Sequence, residues 1–361
     1  MSDTSLSTSH AITAEQFLDK VFREYVDKLV LKPYMGMNSE SVIHVNDVFG
    51  KYKGDAVTFN LAAALSGAGV GNGGTMEGNE EAMNFYGHRI LLNEYRNAVK
   101  DDGSITRQRA PFELASEFSP ALTTWLAQRM EQEMFDALAS IDNVDYGSAS
   151  EGQKDTWVAA NSDRMLFGAA VSNYSASDHS ASLANIDSTT DILTTAQISL
   201  AKRLAQLSDP KIRPIKIANG EEYYVMFVHP LCARDLKNSD SWKNAQQYAM
   251  PRGSENPIFT GMLGMWDGVI LKESNKCLLL DNVGNSNIDV AANFLCGAQA
   301  LLLAQAGYPE NGGAQVVMTE KKFDYDVQMG VQIKAMWAHA KAVFNSKQHG
   351  VVTVYSAAVA D

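Results

Sequence analysis

Residue types that could do chemistry are few and scattered in this chain. Gly69-Val70-Gly71-Asn72-Gly73-Gly74 matches the G-x-G-x-x-G pattern of dinucleotide-binding turns. That chemistry needs a strand before the glycines and a helix beginning inside them, so that backbone N–H groups meet the pyrophosphate. Here an acidic stretch follows, Thr75-Met76-Glu77-Gly78-Asn79-Glu80-Glu81, and no Lys-Ser or Lys-Thr completes a P-loop. The glycines therefore read as a flexible turn. Asp178-His179-Ser180 holds the three residue types of an acyl-transfer triad. Adjacent residues cannot reach relay geometry among themselves, and no G-x-S-x-G elbow occurs, so a solvated loop is expected. His229 ends an apolar run, but no H-E-x-x-H and no second His at helical spacing accompany it; it reads as structural. Glu77, Glu80 and Glu81 could hold a cation, yet within a Gly-rich stretch they read as a solvated acidic loop. The three cysteines, Cys232, Cys277 and Cys296, have neither the even count nor the short spacing of a disulfide framework or zinc site, which suits a reducing compartment. No catalytic residue, metal site or cofactor site is expected.

Composition narrows the class further. The chain has 361 residues, 45% of them hydrophobic, and 30 Lys and Arg against 42 Asp and Glu for a net charge of −12. The length exceeds what one core usually serves, so more than one subdomain is expected. The acidic balance is opposite to that of most proteins held to nucleic acid or anionic lipid. The longest apolar run, 294–306, is broken by Gly297, Gln299 and Gln305 and is too short to span a bilayer. The opening MSDTSLSTSH lacks the basic and apolar regions of a signal peptide. A soluble, acidic, intracellular protein that makes no membrane contact is expected.

The elements that would carry any site come next. Thr13 to Gln16 form a capping box before Phe17, Leu18, Val21, Phe22, Tyr25 and Leu29, an apolar stripe on a short helix in an N-terminal arm. Val57, Phe59 and Leu61 alternate with polar residues as a half-buried strand, and a second strand over 88–99 puts Leu91, Asn93, Tyr95, Asn97 and Val99 on one face. Between them lies a Gly- and acid-rich stretch too polar for a core. Together these predict a long hairpin that must rest on something. Ser119-Pro120 reads as an N-cap and first helical residue, or as a kink in one helix of about 30 residues. Leu122, Trp125, Leu126, Met130, Met134, Leu138 and Ile141 form its stripe, and Gln128, Glu131 and Gln132 its polar face. Trp125 is expected to be buried, so that Trp125→Ala would cost ~3–5 kcal/mol. Residues 142–190 read as loops and short strands. A helix over 194–207, a buried strand over 223–228, a helix over 231–237 and strands over 268–272, 277–280, 315–318, 327–334 and 351–355 complete an irregular α+β pattern without a βαβ repeat.

The order of arm, hairpin, spine helix and α+β remainder resembles the Hong Kong 97-type fold of tailed-bacteriophage major capsid proteins. Tyr52-Lys53-Gly54-Asp55-Ala56-Val57-Thr58-Phe59, Leu65-Ser66-Gly67-Ala68-Gly69-Val70, Glu77-Gly78-Asn79-Glu80-Glu81-Ala82, Glu221-Glu222-Tyr223-Tyr224-Val225, Asn256-Pro257-Ile258-Phe259-Thr260-Gly261, Leu263-Gly264-Met265 and Gly297-Ala298-Gln299-Ala300 occur in the order of the family typified by the N-four coliphage coat protein. The resemblance implies an N-terminal arm (1–45), an E-loop hairpin (46–105), a P-domain with the spine helix (106–209), an A-domain (210–315) and return strands of the P-domain (316–361). It implies a shell subunit forming hexamers and pentamers of an icosahedral head around double-stranded DNA. The virion capsid would be assembled in the host cytoplasm, with a separate scaffolding protein and a portal as partners. Gly67, Gly69, Gly71, Gly73, Gly74, Glu77, Gly78, Phe17 and Phe22 are the expected intersubunit contacts; Leu122, Trp125, Leu126, Met130 and Leu138 are the expected spine-helix core. The alternatives are an encapsulin-like compartment shell and a cytosolic α+β enzyme using His229 and nearby acids.

Overall fold

A computed structural model of the chain describes residues 29–46, 55–65, 67–109, 114–216, 220–248 and 263–359. The Thr13 capping box and the stripe bearing Phe17 and Phe22 lie outside them. The longest strand, Gln328–Lys341, has 14 residues. Met336 and Trp337 pair with both Leu301–Ala306 and Asn93–Lys100, which puts those strands on opposite edges. Val316–Phe323 shares the first edge, pairing with the earlier half of the long strand. Ile43–Asn46 adds in parallel to Leu301–Ala306, so the end of the expected arm is a sheet strand.

Alternation with period 2 gives this sheet two different faces. On one, Val331, Ile333, Ala335 and Trp337 join Leu301 and Leu303 beneath the spine helix, with Tyr95 stacked on Trp337 at 4.5 Å between ring centroids. On the other, Ala338 and Ala340 join Leu302 and Ala304 against Val57, Phe59 and Ile90 of the hairpin. The expected strand over 88–99 is therefore two strands. Phe85–Leu91 pairs with Ala56–Ala62, and Asn93–Lys100 leaves to pair with the long strand. Leu91 is 57% exposed, because it lies on the hairpin's outer face while Ile90 points inward.

The spine helix, Leu114–Ala139, keeps Pro120 inside it, so Ser119 is not its N-cap. Leu122, Leu126 and Leu138 are buried as expected, but Trp125 and Met130 are only half-buried. Glu131 departs furthest from expectation: it is 3% exposed. Its carboxylate accepts the backbone N–H groups of Val30 and Leu31 and pairs with Lys276 Nζ at 3.1 Å. The chain entering at Val30 and the loop at Lys276 cover the face that the sequence marks as polar.

The second sheet runs in the order Met165–Phe167, Val351–Ala357, Val290–Cys296, Glu222–Val228, Val269–Glu273, Met265–Trp266. Its two central strands, Val290–Cys296 and Val351–Ala357, are buried throughout. Phe227, Ala292 and Phe294 face the spine-helix core, whereas Met226, Val228, Leu295 and Val354 pack with Ile198 and Ala201 of the helix Thr195–Leu207. The expected return strands part here: Val316–Phe323 and Gln328–Lys341 stay in the first sheet, and Val351–Ala357 enters the second. The apolar run 294–306 is likewise the end of one strand and the whole of another, crossing between sheets at Gly297. A Cβ there would lie 2.3 Å from the Arg213 carbonyl oxygen. At this junction Lys341 is 2% exposed. Its Nζ donates to the Ser140 carbonyl at 2.8 Å and to Gln348 at 3.3 Å, and burial lowers its pKa to about 7.

Residues 142–190 are more ordered than their composition suggests. Ser150 and Gln153 form a reciprocal capping box on the helix Glu151–Ala160. Asp178 caps a second helix, His179–Ala184, accepting from Ala181 N–H at 2.8 Å. His179 is not solvated: it is 1% exposed. It packs among Tyr146, Phe167 and Tyr355 at 5.7, 6.0 and 5.7 Å between centroids.

Two expectations follow. Leu122→Ala should cost ~2–5 kcal/mol, while Trp125→Ala, at a half-covered site, should cost roughly 1–2 kcal/mol. Urea unfolding of free subunits checks the order, and an equal or larger loss at Trp125 would contradict it. Burial among rings lowers the His179 pKa from 6.5 to about 4. Between those pH values the unfolded chain takes a proton that the folded chain refuses, so stability falls as pH falls through that window. The share from His179 is about 3 kcal/mol. His179→Phe should flatten the stability–pH curve there, and an unchanged slope would remove His179 as its cause.

Candidate assembly surfaces

Each candidate chemical group has a structural task. Gly69 to Gly74 form a turn closed by Gly74 N–H to the Gly71 carbonyl at 3.1 Å, and no helix follows it. The N–H array that a pyrophosphate needs is therefore not formed. His229 is the N-cap of the helix Pro230–Asn238, its Nδ1 accepting from Leu231 N–H at 3.4 Å. The Asn293 amide oxygen accepts the backbone N–H of His229 at 2.9 Å. Burial lowers the His229 pKa, which keeps the ring an acceptor. Cys232, Cys277 and Cys296 are buried, and burial raises all three thiol pKa values, Cys232 to about 12. Among the described residues no group of three or more His, Cys, Asp or Glu side chains could hold a metal ion, and no helix is long and apolar enough to cross a membrane.

The surfaces are more informative than the interior. Val57, Phe59 and Ile90 fix the base of the hairpin to the long sheet. Beyond the base, every residue from 67 to 85 is exposed except Val70, which is half-buried. This places Gly67, Gly69, Gly71, Gly73, Gly74, Glu77 and Gly78 together on a projecting tip. Two backbone groups of the tip are held by its own acids: Glu81 accepts the Gly67 N–H at 2.8 Å, and Glu80 accepts the Gly78 N–H at 2.9 Å. Gly69, Gly73 and Gly78 have φ of 66°, 93° and 86°, where L side chains are strained.

The tip is more apolar at its flanks than the glycine-rich centre suggests. Leu65, Met76, Met83 and Phe85 are 63%, 56%, 49% and 71% exposed. The signal for Phe85 and Leu91 was present as alternation: Phe85, Gly87, Arg89 and Leu91 share the outer face, opposite Tyr86, His88 and Ile90. A second apolar surface lies beside the spine helix. Leu29, Leu31, Met35, Ala127, Met130 and Met134 line an open cavity of about 240 Å³ that contains the expected core residue Met130. A projecting hairpin and an apolar groove open among the described residues suit contact between copies better than turnover of a small molecule.

Comparison with known proteins gives the same direction. The major capsid protein of Pseudomonas phage KPP25 is 27% identical over 372 residues, covering 93% of each chain. The capsid asymmetric unit of cyanophage Pam1 superposes over all of both chains with a TM-score of 0.90 at 28% identity. The capsid of Ralstonia phage GP4 matches over 99% of each chain with a TM-score of 0.76 at 22% identity, a likeness of fold. The α+β fold expected from the sequence, of Hong Kong 97 type, is the one shared with these phage capsid structures. The family model described as phage capsid protein matches residues 5–360, and the chain belongs to that family.

Proposed function

We propose that the chain is the major shell subunit of a tailed phage, assembling as hexamers and pentamers into an icosahedral head that encloses double-stranded DNA. The observation that carries this is the full-length likeness to the Pam1 capsid asymmetric unit, with its TM-score of 0.90. In this reading the arm is 1–45 and the E-loop hairpin 46–105. The P-domain combines 106–209 with 316–361, and the A-domain is 210–315. Gly67, Gly69, Gly71, Gly73, Gly74, Glu77 and Gly78 contact a neighbouring subunit, as do Phe17 and Phe22 of the arm. The net charge of −12 supports enclosure without adhesion, since a strongly basic lining would hold DNA through its phosphates. A separate scaffolding protein and a portal complete the set of partners, and assembly takes place in the host cytoplasm. A protein-compartment shell is the weaker alternative, because the whole chain matches the phage capsid family. An enzyme built on His229 has no support from a ring occupied in capping a helix.

Two experiments test this reading. Fixing the backbone of the tip costs ~1–2 kcal/mol per residue, with glycine at the high end. Limited proteolysis should therefore cut free subunits first within residues 66–78, and assembly should slow that cut at least tenfold. Equal cleavage in free and assembled subunits would remove the hairpin from the intersubunit contacts. Expression of the chain alone should give irregular or missing shells, and co-expression with a scaffolding protein should give regular ones. Uniform shells from the chain alone, seen by negative-stain microscopy, would exclude the scaffolding requirement.

A further inference from the structure

Among the described residues, the hairpin base covers only part of the face of the long sheet on which it lies. Near Ala338 and Ala340 the hairpin base lies on it. Beyond Met336 the same face continues across three strands, where among the described residues Phe323 lies over Gly330 and Tyr308 lies against Lys334. Cross-strand register places Arg96 beside Lys334, and Lys100 and Lys321 on either side of Gly330. Arg96, Lys100 and Lys321 are exposed and Lys334 is half-buried. The Phe323 ring crosses Gly330, where a Cβ would lie 3.0 Å from it. The Lys100 and Lys321 ammonium groups lie 5.1 and 4.9 Å from the centre of that ring, and Lys334 lies 4.1 Å from that of Tyr308. Among the described residues none of these four cations has a carboxylate at ion-pair distance. Glu94 shares this face two residues from Arg96 and accepts from the Tyr308 hydroxyl at 3.0 Å, so four cations stand against one carboxylate and the stripe is net positive, the reverse of the chain's net charge of −12.

The hairpin supplies the complementary charge. From Asp55 to His88 the sequence contains Asp55, Glu77, Glu80 and Glu81 and no Lys or Arg. The three glutamates are exposed on the tip. The chain's own tip does not cover its own stripe, since residues 67 to 85 are exposed almost throughout. The way a hairpin lies on this sheet is already present within the subunit, at Val57, Phe59 and Ile90.

We propose that the stripe of Arg96, Lys100, Lys321 and Lys334 receives the acidic hairpin tip of a second copy of this chain. This rests on the shell-subunit reading and adds its electrostatic partner. Opposed charge on the two surfaces steers the tip to its seat and disfavours tip against tip, where glutamates would meet. Phe323 offers an apolar platform under the two lysines for Met76, the exposed apolar residue next to Glu77. Contacts of this type weaken with ionic strength, as the screening length falls from about 10 Å at 0.1 M to about 3 Å at 1 M.

A charge swap tests the pairing in cells that make the complete set of phage proteins. Glu77→Lys with Glu80→Lys, and separately Lys100→Glu with Lys321→Glu, should each lower the yield of particles at least tenfold. Each variant subunit should still melt within a few degrees of the parent, since all four side chains are exposed. Combining the four substitutions should restore yield to within about threefold of the parent. A combined variant that stays as defective as either pair, with subunits folded, overturns the pairing. Parental yield from the tip variant also overturns it, and a stripe variant that then forms shells low in DNA assigns the cations to packaged phosphates instead. A parental chain that forms no particles at all would refute the shell-subunit reading rather than the pairing.

Discussion

A strand has two faces and one register, and in this protein a single strand of 14 residues imposes both on three layers. Gln328–Lys341 gives alternate side chains to the spine helix and to the hairpin side. A slip of one residue would turn Ile333, Ala335 and Trp337 outward and Gln332 and Lys334 inward. Such a slip would bury charge and expose apolar area at once, so the register is strongly specified. The two strands on one edge and the third on the other inherit it. The hairpin base and the spine helix then have no choice about which surface they meet.

The spine helix adds a second constraint through one carboxylate. Glu131 is among the few buried acids, and three separate parts of the chain converge on it: the entry at Val30 and Leu31, the helix itself, and Lys276 of the second-sheet region. A buried carboxylate without such partners would be strongly destabilising, so its burial demands that all three arrive together. Lys341 does the same at the other junction, where both sheets meet. Polar groups at these joints specify how apolar layers are stacked, while the apolar layers supply the attraction.

Much of this was legible in the residues. Alternation at Val57, Phe59 and Leu61 gave the hairpin, and the stripe from Leu122 to Leu138 gave the spine helix. The full run of short motifs carried the family. What escaped was set by tertiary partners. Glu131 and His179 look solvated in sequence because nothing local announces the chain or the rings that cover them. The break at Leu92 is invisible because alternation continues on both sides while the pairing partner changes. The helix after Ser150 was within reach, since its capping box is written in Ser150 and Gln153, but a polar composition concealed it. Trp125 shows the opposite error: a large apolar residue in mid-stripe is half-covered in the single subunit. The cationic stripe needs three strands from distant parts of the sequence before its four charges become neighbours.

The placement of the cysteines has a consequence for durability. A thiol reacts as thiolate and only when a partner can reach it, and here all three are enclosed with their ionisation suppressed. Oxygen, glutathione and the cysteines of other proteins find no thiol to attack on the folded surface. A change from reducing to oxidising surroundings therefore offers no exposed thiol for a stray disulfide. Its geometry in a shell would be the geometry set by packing and charge, with no disulfide entering it.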